Sequence, residues 1–312
     1  MVRTQALATQ LRSRGAQVVF LTRNPENITS FKTVSVPENL SFYEDAAYDV
    51  YVSQKMAAGL LVVDSYAVDQ EALDRIAKSE IVSVYIDDLN RYIFDVDYVI
   101  NGNLYAPQLN YRGKAHFLLG PDYILMRDEF YNTAYHFNKD LRHIMISFGA
   151  ADVECVTKQV IELIKDYNNF SDLEWHVIIG PANPHGNEIV SMVKSLSNIH
   201  LYNSPNMKAI MEKSDLCFSA AGSTVYELAA CGVPSLLIIT AGNQLMLAEE
   251  ADRSGFAINM GWHHKISAGL LYRNLDSLSH DFSKRELMIQ KGRHLIDGGG
   301  ARRAAEVLIA EF

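Results

Sequence analysis

Cysteine is scarce here, with three residues in 312, Cys155, Cys217 and Cys231, and no C-x-x-C spacing among them. A disulfide framework and a thiolate zinc site are therefore excluded, and the three read as reduced, mostly buried thiols of a cytoplasmic protein. The ten histidines include no H-x-x-x-H pair, and His263-His264 stands by itself, so no metal centre is expected. No run is long and apolar enough to span a bilayer, so stable membrane insertion is not expected. The opening MVRTQALATQLRSRG is polar and amphipathic, unlike a signal peptide. Basic residues are the minority charge, 28 Lys and Arg against 37 Asp and Glu, for a net −9. They are also scattered, which argues against nucleic acid as the main partner while leaving room for a local phosphate site. Solenoid repeats and Pro/Gly/Ser-rich linkers are absent too.

What the chain has is alternation. Apolar runs of strand length fall at 17–21, 59–63, 81–86, 98–100 and 116–119, then at 143–148, 175–179, 200–202, 215–219 and 235–240. Amphipathic helical stretches separate most of them, and a helix is expected over 126–135. That order predicts α/β architecture with parallel, doubly wound sheets. Two domains are expected, 1–137 and 138–312, divided at the short polar segment 136–142.

One stretch, DLCFSAAGSTVYELAACGVPSLLIIT (215–240), parses as strand, loop, helix, stop and strand. Ala220-Ala221-Gly222-Ser223 carries only small side chains, so a ligand could approach the backbone closely. The loop feeds a helix from about Thr224 to Ala230, which Gly232 and Pro234 end. Unpaired N–H groups and the helix dipole make such a terminus an anion site. An ordinary crossover, with Gly222 serving a turn, fits the same residues. Glu227 likewise has two readings: Thr224-x-x-Glu227 has the form of a capping box, and a carboxylate one turn inside a phosphate-facing helix could accept ribose hydroxyls.

Two such sheets place a cleft before the carboxyl ends of their strands. Asp64, Tyr66 and Asp87 stand at those ends in the first domain, and Gly149, 219–223 and 240–244 in the second. Each acid alone is equally a helix cap or a turn former.

The run SAAGSTVYELAACGVPSLLIITAGNQLMLAEEA (219–251) resembles the sugar-nucleotide site of the MurG-like GT-B glycosyltransferases. VVDSYAVD (62–69), YIDDLNR (85–91), LLGPDYILMRDEF (118–130), SFGAAD (147–152) and DGGGARRAAE (297–306) look closer still to the PseG-type UDP-sugar hydrolases and the SpsG-type spore-coat polysaccharide proteins. The likeness covers nearly the whole chain.

That resemblance implies a GT-B fold, two Rossmann-like domains facing a cleft, with UDP held mainly by the second. Gly149 and Ala150 are implied near the diphosphate, with Ser219, Ala221, Gly222, Ser223 and Thr224 around it. Glu227 is implied on the ribose and the backbone near Met207 at the uracil edge. Asn243 and Gln244 would reach toward the sugar or its phosphate, and Tyr66 would face the sugar from the first domain. The partner is a UDP-sugar, and no cofactor is implied. The implied reaction is attack of water on the sugar nucleotide, releasing UDP and a free amino sugar, in surface polysaccharide or nonulosonate biosynthesis. A transferase on the same scaffold and a silent nucleotide-sugar binder are the alternatives.

In that family a histidine in a Gly-x-Gly-His loop activates the water, with an arginine close behind. Met1-Val2-Arg3 matches the segment just after that loop, which places Arg3 among the catalytic candidates. A Rossmann half begins on a central strand, whereas this chain opens on a helix. The expectation is therefore an unfilled central slot beside the strands at 17–21 and 59–63, a true start upstream, UDP binding through the second domain and poor hydrolysis.

Overall fold

The chain enters on α1 (Val2–Ser13), which buries Leu7 and Leu11. Gly15, at φ +96°, turns it toward β1 (Val19–Thr22), and β2 (Lys32–Ser35) pairs with β1 in parallel. A capping box between Ser41 and Glu44 starts α2 (Phe42–Lys55). After β3 (Leu60–Val63), the Asp69 side chain caps α3 (Gln70–Ala77). Strands β3, β4 (Val82–Ile86), β5 (Tyr98–Asn101) and β6 (His116–Leu119) then form a parallel sheet in that order.

Its strands are mostly apolar because both faces are covered. Leu61, Val63, Tyr85 and Val99 pack against Ala72, Leu73 and Ile76 of α3. Val84, Ile86, Ile100 and Leu118 pack against Leu7 and Leu11 of α1 and against Ala304 and Leu308 of the C-terminal helix, Gly300–Ile309.

This computed structural model describes residues 2–134 and 137–312. Met1, Tyr135 and His136, which belong to the expected N-terminal match, helix and boundary segment, lie outside the described residues. Two compact units result: Met1–Asp128 with Gly299–Phe312, and Glu129–Gly298. The expected division at 137/138 differs on two counts. The break falls earlier, and the last helix returns to the first unit. Its small Ala301, Ala304 and Ala305 are buried, and Arg14–Glu306 and Arg302–Asp128 ion pairs, each at 2.7 Å, flank them. The helix expected over 126–135 is reduced to a 3-10 turn, Asp128–Phe130. Met126 and Phe130 are buried individually there, which needs no helical face.

β1 and β3 are not paired with each other. Both line a cavity of about 1050 Å³, together with Leu7 and Leu11 of α1 and Val52 and Ser53 of α2. Among the described residues β1 pairs only with β2, and β3 only with β4.

The second unit holds β7 (His143–Ser147), α4 (Val156–Ile164), β8 (Glu174–Ile179), α5 (Gly186–Val193), β9 (Ile199–Asn203) and α6 (Met207–Lys213). It continues with β10 (Leu216–Ala220), α7 (Thr224–Cys231), β11 (Ser235–Ile239), α8 (Leu245–Ser254), β12 (Ala257–Trp262), α9 (Ala268–His280) and α10 (Phe282–Leu295). The sheet is parallel, in the order β9-β8-β7-β10-β11-β12. Its core joins Ile144, Ile146, Val177, Phe218 and Leu236 to Val160 and Ile161 of α4 and Leu271 and Leu275 of α9. The chain builds outward from β7 to β9, then returns to the other side of β7 to lay down β10. The strand order therefore reverses between β7 and β10, where ligands bind in open α/β sheets.

Candidate functional site

Two helices begin at this reversal, and their first turns differ. α4 follows β7 through Gly149, which has φ +85°. The Asp152 carboxylate, buried, accepts the Val156 and Thr157 N–H groups at 2.9 and 3.0 Å, so this terminus is closed from within. α7 follows β10 and has no such cap. Its N-cap, Ser223, is already helical at φ −58°, ψ −25°, and its side chain makes no cap hydrogen bond. The first bonds run from the Val225 N–H to the Gly222 carbonyl at 3.0 Å and from the Tyr226 N–H to the Ser223 carbonyl at 3.1 Å. The N–H groups of Ser223 and Thr224 lie ahead of them, at the positive end of the helix.

Space is left around that end. A Cβ built on Gly149, Gly222 or Gly242 would meet nothing within 4 Å. These glycines follow β7, β10 and β11, three neighbouring strands of the sheet. The capping-box reading needs Thr224 as the N-cap, whereas the N-cap of α7 is Ser223. Glu227 is half-buried one turn inside α7.

Other candidates sort by burial. Ser219 is fully buried in β10 and its hydroxyl donates to the Ala220 carbonyl at 2.9 Å; Ala221 is buried as well. Neither offers an exposed side chain. Ala150 is exposed, and its carbonyl accepts the Ala182 N–H at 3.0 Å. Met207 opens α6, half-buried, just after Asn206, whose side chain accepts the Ala209 N–H at 3.1 Å. Gln244 is turned back on its own loop and bonds to Thr240, so its amide is committed locally. Asn243 beside it is exposed and makes no side-chain hydrogen bond among the described residues.

In the first unit, a polar cluster sits at the carboxyl ends of β3 and β4. The Arg3 guanidinium bridges Asp64 at 2.6 Å and Asp88 at 2.7 Å. Thr4 also donates to Asp64. Burial works against the charge of Asp64, but Arg3 and Thr4 hold its carboxyl below the usual range. The Tyr66 hydroxyl donates to Asp88 at 2.5 Å, and the Asn103 amide does so at 2.8 Å. Asp87 is buried and accepts the Leu89 and Asn90 N–H groups and the Tyr111 hydroxyl, the bonding of a turn former. Sequence reasoning singled out Asp87 and missed Asp88. The DD pair ending β4 was the available signal, because one acid turns inward and the next outward.

Residues 143–280 match the glycosyltransferase family 28 C-terminal domain. The chain is 24% identical over 257 residues to the spore coat polysaccharide biosynthesis protein SpsG of Bacillus subtilis, covering 80% of this chain and 76% of that one. It is 25% identical over 175 residues to the UDP-2,4-diacetamido-2,4,6-trideoxy-beta-L-altropyranose hydrolase of Campylobacter jejuni, covering 54% of this chain and 61% of that protein's length. Among solved structures, MurG of Acinetobacter baumannii matches 100% of this chain and 96% of its own with TM-score 0.72 at 12% identity. The fold is GT-B, glycosyltransferase-like, with parallel sheets in two α/β units. Among the described residues, no helix is long and apolar enough to cross a membrane.

Proposed function

We propose that this chain is a nucleotide-sugar enzyme that hydrolyses a UDP-linked amino sugar to UDP and the free sugar, in the making of a surface polysaccharide. One observation carries the reading. Of the two helices that start at the strand-order reversal, α4 is closed by Asp152 and α7 is not capped by Ser223. A diphosphate at α7 takes the N–H groups of Ser223 and Thr224 and the Thr224 hydroxyl, with Gly149 and Gly222 giving it room. Glu227 takes the ribose hydroxyls, the backbone at Met207 the uracil edge, and Asn243 the sugar. When the bond between sugar and diphosphate breaks, negative charge grows on the departing UDP. The positive end of α7 is already aimed at it, which stabilises that charge without reorganisation.

A second reading, transfer of the sugar to an acceptor, is supported by the family 28 match over residues 143–280. Both readings share the UDP site, because the fold fixes the nucleotide and leaves the acceptor open. Incubation with UDP-sugars alone separates them. UDP release without an acceptor supports the hydrolase, and release that requires an acceptor supports the transferase. UDP affinity with no release in either case leaves a binding protein.

A further inference from the structure

Right-handed crossovers decide which face of the second unit's sheet each helix covers. The chain moves from β7 to β9 in one direction and from β10 to β12 in the other, so α4 and α5 cover one face and α7 the opposite one. The packing agrees. Ile144 and Ile146 of β7 share a core with Val160 and Ile161 of α4 and Ile189 of α5, and among the described residues none of α7 joins it. Side chains alternate along a strand, so Met145 and Ser147 point to the face that α7 covers. On that face α6 packs against both β7 and α7.

Ser147 is the last residue of β7, in register with Ser219 of β10, the strand that feeds α7. Neighbouring strands lie about 4.8 Å apart, which puts the Ser147 hydroxyl at the crevice where the strand order reverses. Ser147 is 4% exposed, and among the described residues its Oγ makes no hydrogen bond. Ser219 beside it is buried too but donates to the Ala220 carbonyl at 2.9 Å. Among the described residues, the unpaired hydroxyl that is sealed from solvent is Thr157 Oγ1, in α4. Ser147 Oγ is unpaired without being sealed, so it opens at the carboxyl end of the sheet. A buried hydroxyl without a partner is destabilising, and folded chains keep few of them.

We propose that Ser147 is a nucleotide-binding residue whose hydroxyl donates to an oxygen of the bound diphosphate. This rests on the reading above that α7 receives the diphosphate. The oxygens of a diphosphate accept, and the Ser147 hydroxyl has its proton free to give. Gly149, two residues on, leaves space above it. The donor is also held in place before the ligand arrives, because β7 is paired on both sides and no loop has to move to present it.

The test is Ser147→Ala, with UDP, uridine and inorganic pyrophosphate titrated by calorimetry into both chains. UDP and pyrophosphate should each bind roughly tenfold more weakly to the variant, the loss of one hydrogen bond to a charged group, and uridine should change by less than about twofold. Thermal melts without ligand give a second readout. Ser147 bonds to nothing in the free chain, so alanine should hold or raise the melting temperature.

A lower melting temperature with UDP affinity intact would overturn the proposal, since it makes Ser147 a support of the sheet. Equal losses for UDP and uridine would overturn it as well, by placing the hydroxyl on the nucleoside. A parent that binds pyrophosphate but not UDP would sink the nucleotide reading, and the pyrophosphate comparison would still judge Ser147. A parent that binds neither overturns both.

Discussion

Gln244 is bonded to Thr240 through both ends of its amide: Oε1 accepts the Thr240 N–H at 2.9 Å, and Nε2 donates to Thr240 Oγ1 at 3.0 Å. The bond closes the loop after β11 and leaves Asn243 at its exposed tip. Gln244→Ala should loosen the loop and lower turnover of a UDP-sugar, while UDP affinity changes less than about 2-fold, since Gln244 is not among the proposed UDP contacts. Asn243→Ala should show the same split more strongly. Steady-state rates beside UDP titrations check both, and equal loss of rate and UDP affinity would make the loop part of the nucleotide site.

Gly222 offers a sharper separation of binding from folding. Its φ lies outside the left-handed region and a Cβ there meets nothing within 4 Å, so valine fits the folded chain. Gly222→Val should leave the melting temperature within a few degrees and weaken UDP by at least about tenfold by blocking close backbone approach. Gly149 is the poorer test, because its φ of +85° strains any side chain.

Glu227→Gln removes charge without changing shape. A ribose-binding role predicts that the melting temperature holds. UDP affinity should fall by about 1.5–3 kcal/mol, the worth of hydrogen bonds to a charged group. Loss of stability with affinity intact would return Glu227 to a structural role, which calorimetry and thermal melts together decide.

A pH dependence unrelated to catalysis is built into the second unit. His176 is fully buried, its Nε2 3.1 Å from His143 Nδ1 and its Nδ1 3.0 Å from the Tyr202 hydroxyl. Burial first, then Lys213 and the neighbouring histidines, lower it to about 4, with Glu174 opposing. Between an unfolded value near 6.5 and that folded value, the unfolded chain binds the extra proton. Stability is thus fully present above pH 6.5 and is lost as pH falls from 6.5 toward 4. Melting temperatures of the parent should drop across that window, and His176→Phe should flatten the slope. An unchanged slope would remove His176 as its cause.

Much of this was legible in sequence for a physical reason. Buried parallel strands are unbroken apolar runs, and 215–240 is punctuated by small residues, Gly232 and Pro234, so β10, α7 and β11 stand out. β12 (Ala257–Trp262) did not, because Asn259 and Gly261 interrupt its apolar character. Amphipathicity marked the C-terminal helix but does not name the surface it meets, so its return to α1 was hidden. Parity at a strand end was only partly legible, since the DD pair shows that one acid turns inward but not which one. It decides that Ser219 is buried, and that Asp87 builds a turn while Asp88 gathers Arg3, Tyr66 and Asn103. The closure of α4 by Asp152, against the uncapped start of α7, depends on side-chain direction, which spacing alone does not carry.

The central claim is that the diphosphate of UDP sits on the first turn of α7. Amide NMR of the isotope-labelled chain, titrated with UDP, measures this directly. The largest shifts should fall on the N–H groups of Ser223 and Thr224, with smaller ones at Gly149 and Gly222, and those of Val156 and Thr157 should stay still behind Asp152. Shifts centred on Val156 and Thr157, or binding of UDP that leaves Ser223 and Thr224 unmoved, would contradict it.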